Sequence, residues 1–177
     1  MLAASLQLAD EQGLSAVTMQ AVADRLGVTP MALYRHVANK ADLLDGVVES
    51  LLLEIPLPDP VDDWATRLFA LSSGTRKAAL AHPEVFPLLL QRAAATPGAR
   101  RTRDVVYGAL REAGLGEDDV IQLERLLAVA VLGFAASEAG GRFAAHSAAQ
   151  LDADFARLQE MLGRAVVAAL EATPQVS

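Results

Sequence analysis

The chain has 177 residues, with 15 Lys and Arg against 22 Asp and Glu for a net charge of −7, and 53% of its residues are hydrophobic. It has no cysteine, which excludes disulfides, thiolate metal sites and cysteine nucleophiles and fits a cytoplasmic protein. No signal peptide is visible, because Asp10 and Glu11 stand where an apolar run would be needed. The longest apolar stretch, residues 126–136, is shorter than the roughly 20 residues that span a bilayer.

The first part of the chain is predicted to form four helices. Thr18 is placed to cap the second helix, and Gly27 permits a sharp turn after it. Pro30 suits the first position of the third helix, where a missing N–H has no consequence. The predicted helices cover about 2–12, 19–26, 29–37 and 40–54.

The segment "IPLPDP", residues 55–60, separates two predicted domains. Its three prolines cannot continue a helix and form a stiff joint. The first domain covers residues 1–50, with its last helix continuing to about 54, and the second covers 61–177. Helices in the second domain are predicted over about 62–81, 83–94, 98–113, 117–140 and 149–172. The fold is therefore predicted to be all-α, with about nine helices and no strand.

The second and third helices form a helix-turn-helix pattern. Ala23 is small where the two helices must cross, and the buried side is predicted to come from Val22, Leu26, Val28 and Leu33. In such a motif the second helix enters the major groove of DNA, with its N-terminal end facing the base edges. That geometry directs one set of side chains to bases, namely Thr29, Met31, Ala32 and Arg35. It directs a second set to phosphates, namely Tyr34, His36 and Lys40.

The charge of this domain supports a competing interpretation. Residues 1–55 hold three basic and seven acidic residues, a net of −4, whereas DNA-binding domains usually carry a basic footprint. Only the stretch 25–40 is basic, with a charge of +3 and no acid. On spacing and charge alone, DNA binding competes with a helical protein-interaction module that retains a vestigial helix-turn-helix.

The segment "GLSAVTMQAVADRLGVTPMALYRHVANKADLLDGVV", residues 13–48, resembles the DNA-binding domain of the TetR family of bacterial transcriptional regulators. The resemblance is carried by Gly13, Thr18, "VADRLGV", "LYRHV" and "NKADLL". It implies a dimeric repressor that binds a palindromic DNA operator and is released by a small hydrophobic or amphipathic effector. By the resemblance, phosphates are anchored by Thr18, Tyr34, His36 and Lys40, and bases are contacted by Gln20, Thr29, Pro30, Met31, Ala32 and Arg35. Family members usually carry a basic segment ahead of the first helix, so we expect one ahead of residue 1 in the complete protein.

Two C-terminal helices are predicted to form a homodimer interface. The helix over 117–140 is apolar on every side from Leu126 to Ala136, and a helix without a polar face must be buried all round. The helix over 149–172 carries one apolar stripe. A second subunit would cover both in a four-helix interface. Alternatively, the helix over 117–140 is an ordinary core helix that the helix over 149–172 covers within the same chain. The resemblance favours the dimer. The interface candidates are Leu126, Val129, Leu151, Phe155, Leu158, Leu162 and Val166.

The middle helices are predicted to bind the effector. Ser72, Thr75 and Glu138 are polar groups on otherwise apolar helix faces, and Glu138 is a candidate counter-charge for a cationic amphiphile. Aromatic residues at helical spacing are more often packing than ligand contacts. The candidate ligand-binding residues are Trp64, Phe69, Ser72, Thr75, Phe86, Leu89, Tyr107, Phe134 and Glu138.

Catalytic and metal-binding patterns are not found in the sequence. The three histidines, His36, His82 and His146, lie far apart and lack ligand spacing, and no Gly-rich phosphate loop occurs. We therefore predict no catalytic residue, no cofactor, no metal and no membrane partner. A small helical enzyme is the weaker alternative.

Overall fold

The computed structural model describes residues 1–92 and 96–172, and of residue 97 the backbone alone. Within these residues the chain forms eight α-helices and two short 3₁₀ helices and no strand, which confirms the all-α prediction. The 3₁₀ helices are Leu14–Ala16 and Phe86–Leu90. The α-helices are α1 Leu2–Gln12, α2 Met19–Leu26, α3 Pro30–Leu33, α4 Lys40–Glu54, α5 Trp64–Ala81, α6 Pro97–Glu112, α7 Glu117–Ala139 and α8 Ala148–Ala172.

Two predicted helices differ from the structure. α3 ends at Leu33 and not at Val37, because the chain tightens into turns there and the N–H of His36 donates to the carbonyl of Leu33 at 2.8 Å. The helix predicted over 83–94 is the 3₁₀ helix Phe86–Leu90, since Pro83 and Pro87 lack the N–H groups that an α-helix needs. Its predicted last residues, 93 and 94, lie outside the described residues, as do residues 173–177 of the second predicted domain.

The first compact unit comprises, within the described chain, residues 1–54, 78–92 and 96–100. In it α1 packs on α4, α2 packs on α3, and the 3₁₀ helix Phe86–Leu90 packs on α4. This unit is discontinuous in sequence, whereas the two predicted domains are continuous stretches of the chain. The domain boundary at residues 55–60 remains a prediction. Its buried apolar side chains include Leu6, Ala9, Val17, Val22, Ala23, Leu33, Leu43, Val47, Leu51, Val85 and Phe86.

The second compact unit comprises residues 55–77 and, within the described chain, 101–172. Here α7 packs on α8, around a cluster formed by Leu110, Leu115, Val120, Leu123, Leu127 and Val166. By length and composition alone α7 could cross a membrane. Its buried residues recur every three or four positions, which is the pattern of a helix with one side in a protein core. They are Val120, Leu123, Leu127, Val131 and Ala135.

Candidate nucleic-acid interface

The turn between α2 and α3 depends on Gly27. This residue is left-handed, with φ 66° and ψ 31°, a conformation that glycine adopts without the steric cost of a Cβ. The N–H of Val28 donates to the carbonyl of Ala23 at 3.0 Å and closes the end of α2. Ala23 on α2 and Leu33 on α3 are both buried. The two helices therefore form the predicted helix-turn-helix.

The buried side of this motif is smaller than predicted. Val22 and Leu33 are buried, but Leu26 and Val28 are exposed. Leu26 is the last residue of α2 and Val28 follows Gly27 in the turn, where the chain runs over the surface. The prediction for these two residues was wrong, because the apolar pattern does not show where the chain leaves the core.

α3 directs its side chains outward on one face. Thr29, Tyr34 and Arg35 are exposed, and Met31 exposes 71% of its surface. Leu33 holds the opposite face against the core. α3 and the residues that flank it therefore present one hydroxyl, one phenol, one guanidinium and a large apolar side chain, which are groups that contact base edges and phosphates.

α4 begins with a capping arrangement beside α3. The side chain of Asn39 accepts a hydrogen bond from the N–H of Asp42, and the carboxylate of Asp42 accepts one from the N–H of Ala38, both at 3.0 Å. Asn39 therefore serves as the N-cap, and Lys40 is the first residue of the helix. Lys40 and the nearby His36 are exposed. The start of α4 thus places an ammonium group at the positive end of a helix dipole, which favours an anion.

α2 contributes two further polar side chains. The hydroxyl of Thr18 accepts a hydrogen bond from the N–H of Ala21 at 3.1 Å and caps the helix, and its own O–H can still donate to a phosphate. The amide of Gln20 donates to the carboxylate of Asp24 at 2.7 Å. Gln20 would have to give up this bond to reach a base.

One of the basic residues near this face is already paired. The guanidinium of Arg25 on α2 donates two hydrogen bonds to the carboxylate of Glu11 on α1, at 2.9 and 2.5 Å. The hydrogen bond to Arg25 holds the pKa of Glu11 below its ordinary value. Arg25 therefore joins α2 to α1, and the positive charge that faces outward comes from Arg35 and Lys40.

The ten predicted DNA-binding residues thus lie on α2, on α3, at the turns next to them and at the start of α4, all in the first compact unit. Their individual roles stay predictions. Eight are exposed, namely Thr18, Gln20, Thr29, Met31, Tyr34, Arg35, His36 and Lys40, and two are half-buried, namely Pro30 and Ala32.

The predicted effector-binding residues are divided between the two compact units. Phe86 and Leu89 belong to the first unit, where Phe86 is fully buried. In the second unit the hydroxyls of Ser72 and Thr75 donate to carbonyls of their own helix, each at 2.9 Å. The other candidates in the second unit are Trp64, Phe69, Tyr107, Phe134 and Glu138. Ligand binding by these residues stays a prediction.

A buried ion pair in the second unit was not predicted. Arg76 on α5 donates two hydrogen bonds of 2.6 Å each to Glu138 on α7 and one of 2.8 Å to Asp152 on α8. The side chains of Arg76 and Glu138 are only 14% and 6% exposed. The Arg76 guanidinium also lies over the ring of Phe155, 5.0 Å from its centroid. The signal in the sequence was a cation four residues after Ser72, on the same face of the helix.

The predicted dimer stripe on α8 lies partly in the chain's own core. Phe155 and Val166 are buried within the second unit, and Leu151, Leu158 and Leu162 are half-buried. A residue that its own chain buries has no surface left for a partner. The exposed apolar residues of the two helices are Leu126 and Val129 on α7 and Met161 and Val167 on α8.

Two family models match the chain. The model described as bacterial regulatory proteins, tetR family, matches residues 1–47. The model described as the tetracyclin repressor-like C-terminal domain matches residues 57–174.

Individual proteins are also similar. An HTH-type transcriptional regulator of Saccharopolyspora erythraea is 32% identical over 136 residues, which are 76% of this chain and 58% of that protein. The tetracycline repressor protein class A from transposon 1721 of Escherichia coli is 32% identical over 145 residues, 78% of this chain and 65% of that repressor. The matched part is therefore less than two thirds of the length of either relative.

Solved structures share the fold over nearly the whole chain. Mycobacterium smegmatis BioQ has a TM-score of 0.81 and 26% identity, and the match covers 95% of this chain and 96% of that one. The structure of BioQ with its natural double-stranded DNA operator has a TM-score of 0.74 and 27% identity, over 94% and 95% of the two chains.

Proposed function

Because the chain belongs to the TetR family of bacterial regulatory proteins, we propose that it is a transcriptional repressor that binds an operator in double-stranded DNA. The observation that carries this proposal is the exposed face of α3, with Tyr34 at its end and Lys40 at the capped start of α4. The similarity to BioQ, which has been crystallised with its DNA operator, supports the same use of this surface.

The chemistry of the face suggests how the operator is recognised. Bases are contacted by Gln20, Thr29, Pro30, Met31, Ala32 and Arg35, and phosphates by Thr18, Tyr34, His36 and Lys40. Pro30, Met31 and Ala32 have no hydrogen-bonding side chain, so they recognise thymine methyl groups and groove shape. Arg35 is the one side chain of α3 and its turn that can bind guanine with two hydrogen bonds. Recognition therefore combines one strong polar contact with an apolar surface.

The second unit binds a small hydrophobic or amphipathic effector that releases the DNA. A similar protein is named a tetracycline repressor, which supports a small-molecule ligand. The candidate wall residues are largely apolar and aromatic, as in most small-molecule sites. Because Glu138 already holds Arg76, a cationic effector would have to compete with this guanidinium for the carboxylate.

The protein acts as a homodimer in the cytoplasm, by binding and not by catalysis. The exposed apolar residues Leu126, Val129, Met161 and Val167 supply the surface for a second copy. Two copies related by a twofold axis would recognise a palindromic operator, with α3 helices about 34–36 Å apart or somewhat further.

The proposal is tested by selecting bound sequences from a pool of random double-stranded DNA with the purified protein. We expect a palindromic sequence to be enriched and to bind the protein in a gel-shift assay. The Tyr34→Phe/Lys40→Ala double variant, which loses two phosphate contacts, is the matched control and should enrich the same sequence more weakly. Failure to enrich any sequence at low salt would contradict the proposal and favour a protein-interaction module.

A further inference from the structure

His82 lies between two carboxylates in the first compact unit. It directly follows α5, and its backbone N–H donates to the carbonyl of Ala78 at 3.0 Å. Its ring nitrogen Nδ1 is 2.8 Å from the carboxylate of Asp10 on α1, and Nε2 is 2.8 Å from the carboxylate of Glu54, the last residue of α4. The His82 side chain is only 15% exposed. One imidazole therefore joins the ends of three helices.

The two contacts require a particular protonation state. A carboxylate only accepts hydrogen bonds, and a neutral imidazole carries one N–H. Both ring nitrogens can donate only when the ring is doubly protonated and positively charged. In the neutral ring, one nitrogen lone pair would face a carboxylate oxygen at 2.8 Å and repel it. The geometry therefore belongs to the imidazolium form of His82.

The charges around His82 agree with this form. Burial lowers the pKa of His82, but the hydrogen bonds to Asp10 and Glu54 outweigh it and hold the pKa above its ordinary value. Glu84, two residues further along the turn, approaches Gly13 at the end of α1. The acids that contact the ring come from two helices, Asp10 from α1 and Glu54 from α4, and both favour the proton.

The segment that begins with His82 also holds the other end of α4. Val85 and Phe86 are fully buried, and the 3₁₀ helix that contains Phe86 packs on α4. The guanidinium of Arg92 then donates to the carbonyl of Ala41 at 3.1 Å and to the carboxylate of Asp45. Residues 82–92 therefore contact α4 near its start, where Lys40 lies, and at its end.

We propose that His82 is a positioning residue for operator binding, whose imidazolium fixes the ends of α1 and α4 so that α3 and Lys40 face the DNA in one orientation. The inference rests on the proposed function. When the ring loses its proton, Asp10 and Glu54 lose a shared donor and the orientation of α4 is less restricted. Because the pKa of His82 is raised in the folded protein, the stabilisation is complete below the ordinary histidine value of about 6.5 and is lost as the pH rises through the raised value. Operator affinity should therefore fall at mildly alkaline pH.

The test measures the dissociation constant for the selected operator at about pH 6 and about pH 8.5, at constant ionic strength. His36 is a second histidine and lies on the DNA-binding face, so the comparison is made in the wild type and in a His36→Gln background. In both, we expect affinity to weaken about three- to tenfold from the lower to the higher pH, the effect of losing one charge-assisted hydrogen bond. When His82→Gln is introduced into either background, operator affinity should already be weak at the lower pH and should no longer change with pH.

Two further variants separate positioning from a general loss of folding. His82→Arg supplies a cation with several donors at both pH values, so it should retain affinity at the higher pH. Asp10→Asn removes one carboxylate and should move the midpoint of the affinity profile, and the His82 midpoint measured by NMR, to lower pH.

The outcomes are distinct. An unchanged pH dependence in the His82→Gln variants, or a His82 midpoint at or below the ordinary value, would overturn the inference alone. Absence of DNA binding by the wild type at every pH would overturn the proposed function and the inference with it.

Discussion

The carboxylate of Glu138 on α7 accepts two hydrogen bonds of 2.6 Å from the guanidinium of Arg76 on α5. Both side chains are nearly buried, while Asp152, which also contacts Arg76, is 70% exposed. A buried charge that loses its partner costs far more than the pair contributes when it is intact. The two acidic partners of Arg76 should therefore differ sharply in their effect on stability.

Glu138→Gln is expected to lower the free energy of unfolding by about 3 kcal/mol, because it leaves the Arg76 guanidinium buried without its main counter-charge. Asp152→Asn is the matched control and should cost less than about 1 kcal/mol, since its carboxylate is screened by water. Urea unfolding of both variants measures the difference. If both variants lost the same free energy of unfolding, the contact of Arg76 with Glu138 would contribute no more to stability than its exposed contact with Asp152.

Tyr34→Phe and Lys40→Ala should each weaken binding to every DNA sequence alike, by about two- to tenfold. Lys40→Ala should also reduce the slope of log affinity against log salt by about one unit, because one phosphate contact is lost. Met31→Ala and Arg35→Ala should instead change which bases are preferred. Gel-shift titrations on the selected operator and on single-base variants distinguish the two groups, and identical behaviour of both would refute the division between phosphate and base contacts.

Gly27→Ala should destabilise the first compact unit by about 1–2 kcal/mol, because an alanine is strained at φ 66°. Apart from its two chain neighbours, no described residue has an atom within 4 Å of the position that its Cβ would take, so the strain comes from the backbone alone. Gly27→Asn should cost less, since asparagine tolerates this conformation.

Gly108→Ala is the control for the Gly27 variants. Gly108 lies inside α6, and apart from its chain neighbours and the backbone of its own helix no described atom lies within 4 Å of the position of its Cβ. The same substitution should there stabilise the protein by about 0.5–1 kcal/mol. Thermal unfolding measures both changes, and the same sign at both positions would contradict the argument.

Val129→Glu should convert the protein to monomers and abolish operator binding with it, because a charge would be buried in the apolar contact between two copies. Val129 is 68% exposed in the single chain, and Val61, which is 86% exposed, provides the control. Val61→Glu should leave the assembly unchanged. Sedimentation velocity measures both, and a Val129→Glu dimer would show that the interface lies elsewhere.

Thr75→Trp should block the response to an effector while operator affinity stays nearly intact. Thr75 is buried and its hydroxyl donates to the carbonyl of Leu71 at 2.9 Å, so an indole at this position would occupy the proposed effector site. Thr75→Val, which removes only the hydroxyl, is the control and should still respond. The measurement is release of operator DNA by a compound found by screening. Normal release from the Thr75→Trp variant would place the effector site elsewhere.

Local signals in the sequence determined most of the helix boundaries. Thr18 caps α2 and Gly27 ends it, as the pattern predicts, and α4 covers the predicted residues 40–54. These signals act over three or four residues, so they are visible without the rest of the fold. The family was likewise visible in residues 13–48, because the turn, the caps and the exposed Tyr34 and Lys40 all lie within one short stretch.

The tertiary structure decided which of these residues meet. The apolar stripe of α8 predicted a buried face, but it could not show that Phe155 and Val166 face the chain's own core and leave Val167 outside. A helical period specifies the direction of a face and not the partner that covers it. The pairing of Arg76 with Glu138, 62 residues away, and of His82 with Asp10, 72 residues away, depends on helix packing. Charges so far apart in sequence interact only after the apolar faces of the helices have packed together. A local sequence pattern therefore cannot predict which charges will pair.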